Sequence, residues 1–514
     1  MSAPESLPPQ PHGHEAYSAV ANALKLAGSM VVTFGITIAV RQFFIPRQLG
    51  TELYGQLNYA DGFAGLFLVA SWLGVDTWIR KELGVTLKTA DGLYGGVVAM
   101  RLMFTVVLTA AMVLALKLLG RSNEIVLMAC IFGVGQVMVM IQNTASALLH
   151  AAGKVGGLSI ANIITKVLWA LFVLPVVIFG LPIIWLAVAF TASETVKATV
   201  TTLLARHHTG LKLNVDLKLA WHAMRQSLPF WVNNIALAGT GRADVAVLGT
   251  LAATQLGSVE AANREVGWYT LVLGIGGMLM VLTPVISWVL LPLLSRALLR
   301  GREEAAVIIR RALEATVVLG APLSVGGFVA ADELILLYKP EYAPSALVLK
   351  VMAVTFLLTY LNIVTANCLA ALGRGWWVTL TSISTLLLTP AIDFFLVPAM
   401  ITRLGPGGGA VACGTAIVVA EVVTTAVMLR NLGRLAFDAR LLSIVVRTLI
   451  TGAGVIALDF FLKTTGLNPW LRIGVDAVMY VVLALGSRSV RVADIRAFIS
   501  LAKAQRAARG AAPA

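Results

Sequence analysis

Charged side chains recur inside long apolar runs of this sequence, and they are of two chemical kinds. The bases are Arg41, Arg80, Arg101, Lys166, Lys197, Arg242 and Lys350, and the acids are Asp61, Asp76, Glu194, Asp244, Glu314, Asp393 and Glu421. A charge at bilayer depth costs about 2.5–3.5 kcal/mol on insertion scales, so a chain keeps one there when it faces a cavity or a partner. A guanidinium offers a planar fork that holds pairs of oxygens. A carboxyl at that depth can carry a coupling proton or sodium ion. The stretch Asn233–Gly249 holds one of each kind, Arg242 and Asp244. Residues two apart on a helix point about 200° from each other, so these two need separate partners. Asp244 aligns with Asn233, Leu237 and Thr240, and Arg242 lies on another side.

Other patterns refine the set. Asp61, Gly65, Val69, Trp72, Asp76 and Arg80 follow at steps of three or four, which predicts one helix face with an Asp76–Arg80 pair at i,i+4. Ser29, Thr33, Thr37 and Arg41 form a wider polar stripe, equally suited to helix packing. Glu194 and Lys197 are i,i+3 neighbours that can neutralise each other. Arg80 and Lys350 read as span-end residues that snorkel. For ion coupling the candidates are Asp76 and Asp244 first, then Asp61 and Glu194.

The elements that must position these residues are membrane-spanning helices. The chain has 514 residues, of which 58% are hydrophobic and 12% charged, against roughly 25% charged in soluble proteins. Apolar runs of about twenty residues span a bilayer as helices. Fourteen are expected, at 22–45, 57–79, 93–117, 125–149, 157–179, 183–205, 227–252, 268–294, 308–331, 345–370, 376–398, 409–430, 443–462 and 469–487. The class is thus an all-α polytopic membrane protein. The net charge of +14 sits mostly in loops. Roughly 25 Lys and Arg fall on the side of the N-terminus and about 9 on the other, which predicts both termini in the cytoplasm. Nucleic acid is not the expected partner. Cys130, Cys368 and Cys413 have no metal or disulfide spacing and read as small packing residues. The N-terminus reads as a polar tail, not a cleavable signal.

An internal repeat sets the domain plan. ALLHAAGKVGG between spans four and five matches NCLAALGRGWW between spans ten and eleven. Tyr54-Gly55 matches Val266-Gly267, and Glu194 of span six matches Glu421 of span twelve. The expected layout is a disordered cytoplasmic tail (1–21), a six-helix bundle (22–205), a cytoplasmic connecting loop (206–226) and a second six-helix bundle (227–430). Two additional helices (431–487) and a basic cytoplasmic tail (488–514) follow. Parallel repeats place a substrate site between halves near the midplane.

Four motifs carry a family resemblance: RQLGTELYGQLNYADGF after span one, RADVAVLGTLAATQLGSVEAANREVGWYTLVLG over spans seven and eight, ALGRG after span ten, and GPGGGAVACGTA before span twelve. They resemble the polysaccharide-transporter (Wzx-type) flippases of the multidrug/oligosaccharidyl-lipid/polysaccharide (MOP) exporter superfamily, over spans one to twelve. The chain departs in a longer and more polar loop, expected from Ala253 to Glu265. The resemblance implies two six-helix bundles around a central cavity that alternates between inward-open and outward-open. It also implies an undecaprenyl-pyrophosphate-linked oligosaccharide, flipped across the bacterial inner membrane for O-antigen, capsule or exopolysaccharide synthesis.

For that substrate the expected contacts are Arg41, Arg101, Lys166 and Arg242 to pyrophosphate, with Trp72 against sugar. Trp169, Trp231 and Tyr360 are further aromatics, more ordinarily packing residues. Membrane lipid is an expected partner, with a polysaccharide polymerase and export machinery. No cofactor is expected, and no catalytic constellation or Gly-rich nucleotide loop appears, which argues for a secondary-active transporter over an enzyme or an ATP-driven pump. The rivals are a lipid II flippase and a cation-coupled drug exporter of the same superfamily, which predicts a smaller and more acidic cavity. A membrane-embedded glycosyltransferase is disfavoured by the short loops.

Overall fold

A computed structural model describes residues 28–487 except 30, 77–78, 80–89, 152–155, 210–213 and 281–282, together with Ser489. The N-terminal tail, Arg80, the Gly153–Lys154 turn and the basic C-terminal tail lie outside the described residues. Every regular element among those described is a helix, as apolar runs without alternating polarity dictate. Ten helices are long and apolar enough to cross a membrane. The expected span six is an unbroken helix, Ile184–Thr209, and spans one, two and eight are the irregular ones.

The chain forms two compact units. The first holds the residues up to Leu49 and Gln56–Ala246; the second holds Gly50–Gly55 and the residues from Val247 onward. The division falls inside a helix, not in the loop expected over 206–226. Residues 206–209 close the helix Ile184–Thr209, and helix resumes at Leu217 and runs unbroken to Leu256. The Asp216 carboxylate starts it by accepting from the backbone N–H groups of Lys218 and Leu219 at 2.9 and 3.0 Å.

In the first unit, residues 31–37 pass into a π-helical turn, Ile38–Phe44, that carries Arg41. The hydroxyls of Thr33 and Thr37 donate back to the carbonyls of Ser29 and Thr33 at 2.9 and 2.7 Å, a competition with the helical ladder that suits such a turn. The helix α1 (Ile45–Leu68) follows with a kink at Gly50, whose φ of 80° suits glycine. Next come α2 (Ala90–Leu118), α3 (Asn123–Ala151), α4 (Gly156–Ile178), α5 (Ile184–Thr209) and α6 (Leu217–Leu256). A core of Leu73, Ile79, Tyr94, Leu148 and Leu158 lies among them.

The face expected to run from Asp61 to Arg80 is interrupted. Beyond Leu68 the chain tightens to a 3-10 turn, Val69–Trp72, then enters the left-handed region at Leu73 (φ 55°) and Gly74 (φ 64°). A left-handed Leu costs roughly 1–2 kcal/mol. Non-helical backbone at membrane depth survives only where its polar groups find partners, and three side chains provide them. Ser71 Oγ donates to the Leu68 carbonyl at 2.7 Å, Trp231 Nε1 to that of Ala70 at 2.7 Å, and Arg101 to that of Trp72 at 2.5 Å.

The second unit comprises α7 (Val259–Leu279), α8 (Thr283–Arg300), α9 (Arg302–Val329), α10 (Ala331–Leu336), α11 (Ser345–Ala371), α12 (Gly375–Leu404), α13 (Gly408–Leu432), α14 (Ala439–Thr464) and α15 (Pro469–Gly486). The expected span eight is thus two helices. The long polar loop expected from Ala253 to Glu265 is absent: only Gly257 and Ser258 separate α6 from α7, because Ser258 caps α7 by accepting from Ala261 N at 3.2 Å. Leu294, Ile309, Leu313, Cys368 and Leu432 centre the core.

The glycines of the repeat meet reciprocally in this unit. A Cβ on Gly55 would overlap the Asn263 carbonyl, and one on Gly267 the Thr51 carbonyl. Backbone cannot retreat as a flexible side chain can, so Gly55→Ala is expected to cost more than about 4 kcal/mol. The check is thermal unfolding of the purified protein, and an unchanged melting temperature would show that the two backbones can part.

Candidate functional site

The bases of the first unit converge. Arg41 on the π-turn donates to Asp61 Oδ2 of α1 at 2.9 Å, with its side chain 41% exposed. Arg242 of α6 lies across α1 and donates to the Gly65 carbonyl at 3.2 Å. A Cβ at position 65 would stand 2.5 Å from Arg242 Nε, so glycine is what lets the guanidinium lie on the helix. Arg242 is also within electrostatic reach of Arg41 and Asp61. Lys166 of α4 in turn senses Arg41, Glu194 and Lys197.

Beside these bases is a cavity of about 290 Å³. The residues 33, 34 and 37 line one side, Asn162, Thr165, Lys166 and Trp169 of α4 a second, and Ser193, Glu194 and Lys197 of α5 a third. The Lys166 ammonium stands 4.6 Å from the centre of the Trp169 ring, a cation–π contact that holds the charge at an aromatic wall. Lys166, Lys197 and Glu194 stand on the cavity wall, and with the adjoining Arg41, Asp61 and Arg242 the group holds four bases and two acids, an excess of two positive charges. Such an arrangement attracts an anion, and its hydroxyls, amide and indole can meet a polyhydroxylated ligand.

The structure therefore joins four of the predicted residues, Arg41, Lys166, Arg242 and Asp61, and sets Glu194 on the cavity wall. It sets four others apart: Arg101, Asp76, Trp72 and Asp244. Arg101 of α2 is 2% exposed, and its guanidinium donates to the carbonyls of Trp72 and Met140, to Thr144 Oγ1, and to Asp76 Oδ1 at 3.1 Å. Thr144 Oγ1 also donates to Asp76 at 3.0 Å. Arg101 and Asp76 thus clamp the broken span two to α2 and α3, where the sequence reading expected an anion contact and an ion carrier. Trp72 is part of that unwound turn. Asp244 is fully buried in α6, on a side of the helix different from Arg242, as the 200° argument requires.

Asn162, Thr165 and Ser193 were not singled out from the sequence. Their signal was there, since Asn162, Thr165 and Lys166 precede Trp169 at helical spacing and Ser193 adjoins Glu194. Among the other aromatics, Trp231 serves the Ala70 carbonyl and Tyr360 that of Leu279, which are packing roles. The repeat-related acids differ: Glu421 accepts from Asn362 and from Thr359, bonds that tie α13 to α11.

Two motifs prove architectural. Glu265 of α7 is 1% exposed and accepts from the backbone N–H groups of Gly407 and Ala410 at 2.7 and 2.9 Å. A carboxylate thus caps the positive end of α13, and this links the VGWY and GPGGGAVACG motifs. Glu52 of the first motif pairs with Arg264 at 3.1 Å.

A family model described as "Polysaccharide biosynthesis protein" matches residues 45–347. No curated protein matches the chain. Among solved structures, the lipid II flippase MurJ in an inward closed conformation aligns with a TM-score of 0.69 at 13% identity, covering 91% of this chain and 99% of its own. An inward-facing multidrug resistance MATE family transporter of the MOP superfamily aligns at 0.58 and 17%, covering 82% and 98%. An outward-facing multidrug resistance MATE family transporter of the MOP superfamily aligns at 0.51 and 17%, covering 83% and 99%. These likenesses fix the fold, and with the apolar helices they make the chain a multi-pass membrane protein. The chain belongs to the polysaccharide biosynthesis protein family and has the fold of MOP-superfamily transporters.

Proposed function

We propose that the protein is a flippase that moves an undecaprenyl-pyrophosphate-linked oligosaccharide across the bacterial inner membrane by alternating access, with both termini in the cytoplasm. The observation that carries this reading is the excess of bases around the first-unit cavity. The lipid tail can stay in the bilayer, but pyrophosphate cannot cross apolar surface without counter-charges. Arg41 and Arg242 hold the phosphate oxygens, Lys166 and Lys197 add charge, and Trp169 offers a face to sugar. A drug exporter for cations would want the opposite sign. A lipid II flippase shares the anion chemistry, and the polysaccharide family match favours the oligosaccharide. Supply by glycosyltransferases and hand-over to a polymerase and export machinery complete the reading. It needs no cofactor; the coupling ion is H+ or Na+, with Asp244 as the buried carboxyl of α6 that would sense it.

The test is flipping of a labelled lipid-linked oligosaccharide in proteoliposomes. Lys166→Gln is expected to lower the rate about tenfold, the worth of one charge-assisted hydrogen bond. Asp244→Asn is expected to remove the pH or sodium dependence of the rate. Unchanged rates in Lys166→Gln would detach the cavity from transport, and an unchanged ion dependence would remove Asp244 from coupling.

A further inference from the structure

We propose that Asp459 and Asp476 form a proton-binding site, one proton shared between two buried carboxyls, in the last two helices of the second unit. The site stands on its own geometry, and only its use in coupling rests on the transporter reading above.

Around it are four acids, Asp332, Glu333, Asp459 and Asp476, and three bases, Lys350, Lys463 and Arg472. Lys350 pairs with Asp332 at 2.7 Å, and Lys463 bridges Asp332 and Asp459 at 3.1 Å each. Arg472 bridges Asp459, at 3.0 Å, and Glu333. Burial opposes the ionisation of Asp332, but its two lysines outweigh that and hold its carboxyl below the usual range. The bases are thus taken up by the other three acids, and the negative charge in excess falls to Asp476.

Asp476 is 3% exposed, and neither of its oxygens has a hydrogen-bond partner among the described residues. The Asp459 carboxyl, 1% exposed, lies within hydrogen-bonding reach of it. Two carboxylates so placed repel each other. A single proton turns the pair into one O–H···O bond and balances the charge count. Among the described residues, the elements around the pair offer no further base. In α9 the titratable residues end at Glu314, which pairs with Arg311 and Arg440; in α14 the remaining base, Arg447, is twelve residues from Asp459; in α15 Tyr480 lies one turn beyond Asp476. Nor is there a group of three His, Cys, Asp or Glu placed to hold a metal ion among the described residues.

The proton has a consequence for Arg472, which lies one turn before Asp476 on α15. With the proton bound, Arg472 keeps its bridge between Asp459 and Glu333, the latter in the first turn of α10. When it leaves, Asp476 competes for the guanidinium and weakens that hold. Proton occupancy is thereby linked to the docking of α10.

The experiment uses the purified full-length protein in lipid nanodiscs. Infrared difference spectra in light and heavy water at neutral pH are expected to contain a protonated-carboxyl band that Asp476→Asn removes and Asp459→Asn removes or shifts. Identical spectra for wild type and Asp476→Asn would overturn the proposal. Thermal unfolding gives a second reading that needs no variant. The wild type is expected to lose melting temperature from mildly acidic to alkaline pH as the pair gives up its proton, and a flat profile would overturn the site. Asp476→Asn, which imitates the protonated acid, is expected to flatten that profile. If sodium at fixed pH raises the wild-type melting temperature and leaves Asp476→Asn unmoved, the ligand is sodium and the proposal fails. A loss of flipping in Lys166→Gln, with this band intact, concerns the flippase reading alone.

Discussion

Arg242→Ala is expected to abolish surface polysaccharide in cells that depend on this protein, while the variant still accumulates in the membrane. The guanidinium lies over Gly65 and within reach of Arg41 and Asp61, so its removal takes away one of the two forked cations in the cluster. Each charge-assisted hydrogen bond to an anion is worth about 1.5–3 kcal/mol, roughly a ten- to hundredfold loss in binding. Loss of a bidentate pair compounds that. Arg242→Lys keeps the charge and loses the fork, and is expected to recover part of the activity. Gly65→Ala tests the same point from the other side, because its Cβ would meet Arg242 Nε at 2.5 Å and displace the guanidinium with its charge intact. Normal polysaccharide from a well-expressed Arg242→Ala protein would remove this residue from the site.

Arg101→Met is expected to fail at an earlier step, in folding. Arg101 is 2% exposed and serves Asp76, Thr144 and two backbone carbonyls. Its loss leaves the Trp72 carbonyl of the unwound turn without its donor and the Asp76 carboxylate with the Thr144 hydroxyl but without its cation. Removing one partner of a buried pair costs about 3–5 kcal/mol, mostly from the charge left behind. The double variant with Asp76→Asn removes that charge too, so it is expected to melt above Arg101→Met alone. Thermal unfolding of the two purified proteins decides this. If Arg101→Met melts like wild type and loses only transport, Arg101 is a substrate contact after all.

The two predictions separate residues that look alike in the sequence. Arg101 and Arg242 are both single bases in apolar runs, and composition gives them equal standing. Burial and partners divide them, and these depend on where distant helices meet. The same holds for Asp61 and Asp76, each paired with a base twenty or more residues away.

The sequence by itself determined the all-helical membrane class, since hydrogen-bonding backbone within each apolar run is the only way such runs satisfy their polar groups in lipid. It determined the family motifs, whose glycines and Glu265 serve close backbone approach and helix capping. It also determined that Arg242 and Asp244 face different ways, because helix geometry is local. Only the tertiary structure decided the break at Val69–Gly74. No proline marks it, and it persists because Ser71, Trp231 and Arg101 supply donors, two of them from other helices. Only the tertiary structure brought Arg41 and Arg242 beside the cavity wall that carries Lys166 and Lys197, and left Asp476 beside Asp459 with no base of its own among the described residues. Local periodicity fixes which face a charge occupies, but the charge it meets there is set by packing between segments far apart in the chain.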